Sequence, residues 1–595
     1  MNRFSIHTLY LCVILAALLF PRIASAFPAD SYAPASVLAE GRWVKVSVSE
    51  SGIHFIPASL LREWGFSSPE KVSVYGYGGR RLPDRLSLSS YVDDLPRLQI
   101  RRSAEGIWFY ASGPETWTRT SAGNFYHSLN PFSSFGFYFL SDCEADSSGP
   151  SVPVEGFDAP SADPQTTFTE RLFHETDRIS PGQTGHRLVG EDFRIAREKT
   201  LHFDLPGRVE DSPLWLRASF VAASSGRSTV TYSANGLPLP QSATLSAVSS
   251  HLHATDATIT APFEMSGDKL SLGILFATQG VTTLAALDAV SLNYCRRIGL
   301  TGGYLHFTAG NSSVVLSGGG EMTTVWDVTD PLHIHALKTV ASPGGIAWKN
   351  TYSGQRLYAA WNDGAALPAP RFVATVRNQN LHGVRQSPDM VIISPRDWLG
   401  EATRLAEFHR SGAEPLEVLV VCQDDIFNEF ASGAPEVNAL RRFLKMLYDR
   451  GNESGRPLRY ALLFGRATFD NRCLTAEMQA LGEPFIPTWQ TDDGLSVTSS
   501  FTTDDILAML EDDSGANLAS STLSIAVGRA PLHNLSDART FVDKVIEYSR
   551  APSAPADWKN HVVMMADNGD SGVFMKDSER QYANICLLYT SDAAD

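Results

Sequence analysis

The side chains with the most reactive chemistry here are thiols and imidazoles. Cys422 ends the apolar run LEVLVVC, and Cys473 follows FDNR in a predicted loop. A thiol becomes a nucleophile when a neighbouring imidazole lowers its pKa and handles its proton. No histidine lies near Cys473 in sequence, and Cys422 reads as a small apolar core residue. His409 falls on a predicted helix and reads as a surface group, while His533 follows a predicted strand. His333 and His335, in HIHALK, have the i, i+2 spacing that places two imidazoles on one face of a strand. No third metal ligand accompanies them. Acidic turns at Asp492 and Asp493, and at Asp504, Asp505, Asp512 and Asp513, offer the oxygens that calcium takes. Their spacing fits no EF-hand, and they read as solvated loops. There is no G-x-S-x-G elbow, which sets a serine hydrolase aside.

These groups must be held by elements of two textures. From Phe27 to about Pro370 the chain reads as β. GRWVKVSVSESGIHFIP alternates apolar and polar residues and turns at Ser51-Gly52, and FGFYFLSD, STVTYSANG and KLSLGILFATQG continue the pattern. A Ser/Pro/Asp-rich stretch near residues 144–166 reads as a linker. The expected organisation is a β-rich module over 27–145, further β-rich structure over 165–370, and an α/β domain over 385–585. In that domain PDMVIISP, LEVLVVC, RYALLFG, LSIAVGRAP and HVVMMADNGD read as five strands. WLGEATRLAEFHRSG, EVNALRRFLKMLYDRG and DARTFVDKVIEYSRAP read as helices, the first two ending at Gly412 and Gly451. Strands alternating with helices predict a parallel sheet covered on both faces, with ligands beyond the carboxyl ends of its strands.

Size and charge set outer limits. A chain of 595 residues holds two to four domains. A net charge of −16 argues against a nucleic-acid partner, whose phosphates need Lys and Arg. The six cysteines (Cys12, Cys143, Cys295, Cys422, Cys473 and Cys586) match no zinc or redox spacing. The opening residues carry a basic Arg3, an apolar run from Leu9 to Phe20 and the ending Ala24-Ser25-Ala26. That order predicts a secretory signal over residues 1–26, cleaved before Phe27. The run is short for a membrane span.

Several stretches together carry a resemblance. Asp424 to Gly451, RYALLFGRATFDNR and VGRAPLHNLSDARTFVDKVIEYS are similar to the gingipain-type C25 cysteine peptidases. The similarity is closest to the PorU-like sortases of the type IX secretion system of Bacteroidetes. VWDVTDP, RNQNLHG, GHRLVGEDF and ALDAVSLNYCRRI resemble stretches of their N-terminal regions. The resemblance implies β-rich N-terminal modules followed by the first part of a caspase-like α/β peptidase domain. It implies a His–Cys dyad that forms a thioester, which water resolves in proteolysis and an amine resolves in transfer. It implies protein substrates bearing C-terminal secretion signals, other outer-membrane components of the secretion system as partners, and a location at the cell surface or outside the cell. Members of that family bind calcium, which leaves a structural calcium ion open here, and no cofactor is assigned.

In that family the catalytic His follows a strand in a GHG-type turn and the Cys follows a later strand, both downstream of a VADDGD-like strand. Here the corresponding run is VVMMADNGDSGVF, and no GHG occurs. The expected catalytic residues therefore lie beyond Ile585, and none is assigned within this sequence. Relatives carry an acid after LLFG where this chain has Arg466, a change that reverses the local field. The competing reading is a non-enzymatic surface or adhesion protein of β modules with an inactive α/β domain. A GHG turn and a later strand-end Cys in the continuation of the gene separate the two. The final CLLYTSDAAD, residues 586–595, can be encoded as a transposase sequencing adapter read in frame, so the natural chain is expected to be interrupted near Ile585.

A part of a sheet leaves an open strand edge and an unfilled helix-packing face. Residues 388–595 expressed alone should aggregate or stay partly unfolded, with no peptidase activity. A sharp cooperative melt with turnover of an Arg or Lys peptide is the contrary result.

Overall fold

The computed structural model describes residues 27–143, 152–155, 163–310, 313–350, 354–412, 414–550 and 561–591. The predicted signal, most of the predicted linker and the last four residues lie outside them.

The alternating sequence near the N-terminus forms strands with one buried face. Trp43–Val48, Ser73–Tyr75 and Gly136–Ser141 share a sheet whose fourth strand, Arg371–Val376, pairs antiparallel with Trp43–Val48. Gly52–Pro57 and Gly106–Ala111 build a second small sheet. Val44, Val46, Phe109 and Leu140 fill the space between them. Residues 167–297 form two antiparallel layers, one of five strands centred on Leu214–Ser224 and Thr282–Arg297, the other of four centred on Ser228–Ala234 and Lys269–Thr278. The burial of Thr255–Phe263 alternates along the strand. The inward side chains of both layers, Phe220, Tyr232, Phe276 and Leu287 among them, make one core. A third β region is built on Tyr304–Ala309, Thr323–Asp327 and Arg356–Asn362.

The α/β part starts at β1 (Met390–Ser394). Then follow α1 (Leu399–Arg410), β2 (Val418–Cys422), α2 (Gln423–Phe430), α3 (Val437–Ser454), β3 (Tyr460–Phe464), α4 (Ala476–Leu481), β4 (Ala526–Ala530) and α5 (Leu535–Arg550). The strands lie in the order β2-β1-β3-β4, all parallel. Val391, Ile393, Ala461 and Leu463 pack with α2 and α3 in one core. Ile392 points the other way and is equally buried, on the side where α1 lies along β1 and β2. The β-rich N-terminal region and the caspase-like parallel sheet are thus both present.

Two expectations fail. Helix α3 runs through Gly451 and ends at Gly455, whose φ of 71° is the left-handed cap that glycine supplies. Glycine at 451 serves close packing instead, since a Cβ there would meet the Arg456 carbonyl at 2.6 Å. The predicted fifth strand is also absent. Residues 561–568 form no strand and α6 (Gly569–Ser591) follows, its first turn broken by positive φ at Asp570, Ser571 and Gly572. Val563 and Met565 are 77% and 92% exposed. Apolarity alone does not make a strand. It also needs a neighbour's N–H and C=O groups, and no described backbone pairs with this run.

Helix α3 is buried on its charged side as well as its apolar one. Arg441, Arg442, Lys445 and Arg450 all lie inside. Arg441 donates to the carbonyls of Asp84 and Met509 and to Ser514 Oγ. The Arg442 guanidinium stacks over Tyr91, 4.8 Å from the ring centre. Lys445 pairs with Asp449 and Asp512, both at 2.6 Å. Arg450 donates to the carbonyls of Ala33, His382 and Val384. Three of these partners, Ala33, Asp84 and Tyr91, come from N-terminal segments that reach the α/β part.

His382 joins the same seam. Its Nδ1 lies 2.7 Å from Glu429 Oε2 on α2, and its Nε2 lies 3.2 Å from Asp93 Oδ1 in the first module. Its ring stacks on Phe430 at 4.4 Å. Burial disfavours its charge, but the hydrogen bonds to Asp93 and Glu429 outweigh that and raise its pKa to about 9. The imidazolium is therefore the ionic bolt between the two parts. Because the folded pKa lies above the ordinary 6.5, its contribution is complete below about pH 6.5 and fades as pH rises through 9. His382→Leu should cost ~3–5 kcal/mol, because it strands buried carboxylates. Urea unfolding at pH 6 should show the full loss and at pH 10 much less, whereas equal losses at both would refute the bolt.

Candidate functional site

The carboxyl ends of the four parallel strands open on one face, where ligands bind in such sheets. Ser394, Cys422, Phe464 and Ala530 are the last strand residues. Beyond β1, Arg396 pairs with Asp425 at 2.6 Å, and its Nε lies 3.8 Å from Asp424. Beyond β3, the Arg466 N–H donates to the Leu532 carbonyl and its own carbonyl accepts from Ile486. Arg529 of β4 spans the same edge. It chelates Asp504 with two 2.7 Å bonds and donates to the carbonyls of Gly465, Ile486 and Pro487. That one guanidinium ties two backbone segments and the Asp504 carboxylate together at the rim.

Arg466 is buried, two residues past the end of β3. Its Nε lies 3.2 Å from Glu483 Oε2, and the same oxygen lies 3.0 Å from His533 Nδ1. The field reversal expected at Arg466 is thereby answered locally by Glu483. Sequence reasoning missed Glu483, which stands in an irregular connection with no motif around it. It also missed Arg396 and Asp425, because an ion pair between a connection and the first turn of a helix leaves no periodic trace.

Neither described strand-side cysteine is activated. Cys422 is buried, and its Sγ lies 3.7 Å from Asp424 Oδ2. Burial, reinforced by that carboxylate, pushes its thiol up to about 11. Cys473 sits at φ 54° in the connection after β3, and burial and Asp470 raise its pKa also. Asp470 gathers the N–H groups of Arg472, Leu474 and Thr475, and Arg472 pairs with buried Asp177 of the second β region. This connection is thus anchored to the β-rich part.

The remaining candidates separate. His333 precedes the strand that starts at His335 and caps Asp330 at 2.9 Å, so the two imidazoles do not share a strand face. His409 lies on α1 against Phe408, its pKa lowered by burial. The acidic turns are held separately. Asp492 faces Arg81, Asp504 faces Arg529, Asp512 faces Lys445 and Asp513 faces Arg85. Asp493 accepts from the Leu495 N–H, and Asp505 opens a short 3-10 turn. Among the described residues, Asp94, His382 and Glu429 converge as metal ligands would. Both ring nitrogens of His382 are already engaged there, and the pair fits an imidazolium better than a metal ion.

Residues 384–593 match the model of peptidase family C25. Latent PorU from Porphyromonas gingivalis, a dimer in its crystal structure, is 29% identical with a TM-score of 0.79. The match covers 91% of this chain and 52% of that one, so this chain spans about half the length of that relative. A Bacillus thuringiensis Cry1Da core variant (10% identity, covering 38% of this chain and 51% of its own) and the acetyl xylan esterase Est2A of Butyrivibrio proteoclasticus (10%, 65% and 88%) reach TM-scores of only 0.12 and carry no argument. No curated protein matches.

At neutral pH a thiol held near 11 is ionised in only ~1 molecule in 10,000. Iodoacetamide at pH 7 should modify exposed Cys143 first, half-buried Cys473 next and Cys422 last, as peptide mass mapping would show. Early labelling of Cys422 would reverse this view of the strand end.

Proposed function

We propose that this chain, whose residues 384–593 match the model of peptidase family C25, is the N-terminal portion of an exported cysteine peptidase of the sortase type. It cleaves C-terminal signals from secreted protein cargo through a thioester and transfers the freed cargo to an amine. The observation that carries the reading is the joint likeness in sequence and fold to latent PorU over 91% of the chain. The open carboxyl edge of the parallel sheet supports it, as the surface on which such a domain places its reacting groups.

The nucleophile and base belong to the part of the protein beyond Ile585. Support comes from the span of the relative, about twice that of this chain, and from the chemistry of Cys422 and Cys473. Both are raised in pKa, and neither has an imidazole among its hydrogen-bond partners. Thioester formation requires the opposite, a depressed thiol with a base in reach and N–H donors at the oxyanion. In this arrangement the Arg396–Asp425 and Arg466–Glu483–His533 sets flank the substrate and shape its charge preference, while Arg529 keeps the rim rigid. No helix of the described residues is long and apolar enough to cross a membrane.

The test uses the full-length protein and a peptide spanning the junction between a cargo and its C-terminal signal. Cys422→Ala and Cys473→Ala should each leave turnover unchanged, and a thiol-directed inactivator should label a cysteine outside residues 1–585. Loss of turnover in either variant, with folding intact, would place the nucleophile in this chain and end the proposal.

A further inference from the structure

Phe27 is the first described residue, and its backbone nitrogen lies 2.9 Å from Asp512 Oδ2. The residue is 4% exposed. Its ring stands edge-on to Tyr91 at 5.4 Å, and the Lys445 ammonium lies 4.8 Å from the ring centre. The residue belongs to the same core as α2 and α3. Beside it is a cavity of about 520 Å³, walled by Asp449, Glu453, Glu511 and Asp512. Among the described residues one cation, Lys445, lines it, and that ammonium is already divided between Asp449 and Asp512. The site is short of positive charge. Asp449 shows the strain, since burial, with Asp512 adding to it, holds its carboxyl up at about 6.

An amide N–H at position 27 brings no charge into this cavity. An α-ammonium would. Independently, Ala24-Ser25-Ala26 places the expected signal cleavage immediately before the residue whose nitrogen is held there. We propose that the acidic cavity is a receptor for a primary ammonium, the chain's own N-terminus, created by cleavage of the Ala26–Phe27 bond and held by Asp512. A signal peptidase and one water molecule supply the chemistry. The hydroxyl of water goes to the Ala26 acyl carbon and its proton to the Phe27 nitrogen. The proton released as Ala26 ionises to a carboxylate balances the one that turns the new amine into an ammonium. Cleavage replaces a neutral hydrogen bond by a charge-assisted one. The processed chain thereby gains an ionic clasp from residue 27 to residue 512 across α3, which an unprocessed chain lacks.

The experiment uses the whole chain, expressed with its leader and purified after export. Sequencing should read Phe-Pro-Ala-Asp at the N-terminus. The nearby carboxylates favour the charged amine, so at pH 7 acetic anhydride should acetylate it at least ~10-fold more slowly than in Asp512→Asn. Asp512→Glu should restore protection. Should Asp512→Asn fail to fold, a chain with one glycine inserted before Phe27 replaces it, because the extra residue carries the ammonium away from Asp512 and should label fast. An N-terminus at another residue overturns the proposal. Equal labelling of the processed chain and of the Asn or glycine-extended form does the same.

Discussion

Four buried cations on one helix set the terms for the rest of this structure. Arg441, Arg442, Lys445 and Arg450 cannot lie inside a protein without partners, because an unpaired charge in a low-dielectric interior is prohibitively costly. Few of their partners are carboxylates. Arg441 and Arg450 are met mainly by backbone carbonyls, and Arg442 by the face of Tyr91. Carbonyls of irregular segments are well suited to this, having been left without partners by any sheet or helix. The N-terminal segment, the loop around Asp84 and the stretch after His382 thus take their course from the need to solvate α3.

That requirement makes the β-rich region a part of the α/β domain's interior and not only its neighbour. Lys45 reaches Asn428 and the Gly433 carbonyl, Tyr77 bonds Ser432 and the Phe430 carbonyl, and Glu436 accepts from the Leu82 N–H. On the opposite flank, Asp177 holds Arg472 in the connection beyond β3. The carboxyl-end face of the parallel sheet is therefore positioned by residues remote in sequence. Pre-positioning of this kind governs how much a fixed polar site can do.

The parallel strands were legible because burial on both faces leaves continuous apolar runs, as in MVIIS and VLVVC. The run VVMM has the same appearance and forms no strand, which shows what apolarity omits: a partner backbone. The end of α3 was misplaced by four residues because Gly451 and Gly455 look alike in a sequence, and only the second takes a left-handed φ. The burial of the α3 charges leaves no trace in the helix's own sequence. Arg and Lys at helical spacing ordinarily mark a solvated face, and three of the groups that receive them here, Ala33, Asp84 and Tyr91, lie hundreds of positions away. For the same reason Arg466 could be flagged from sequence, while Glu483, which neutralises it, could not.

The strand Arg371–Val376 carries a consequence for how this chain comes into being. It pairs along Trp43–Val48, yet both of the other β regions lie between them in the chain. As the polypeptide emerges N-terminus first, the opening sheet lacks its edge strand until residue 376 arrives, and closing so long a loop belongs to the slow class of folding events. The first module is therefore completed late. It also cannot be exchanged as a cassette between genes: a crossover anywhere from residue 48 to 371 would join one protein's sheet to another's edge.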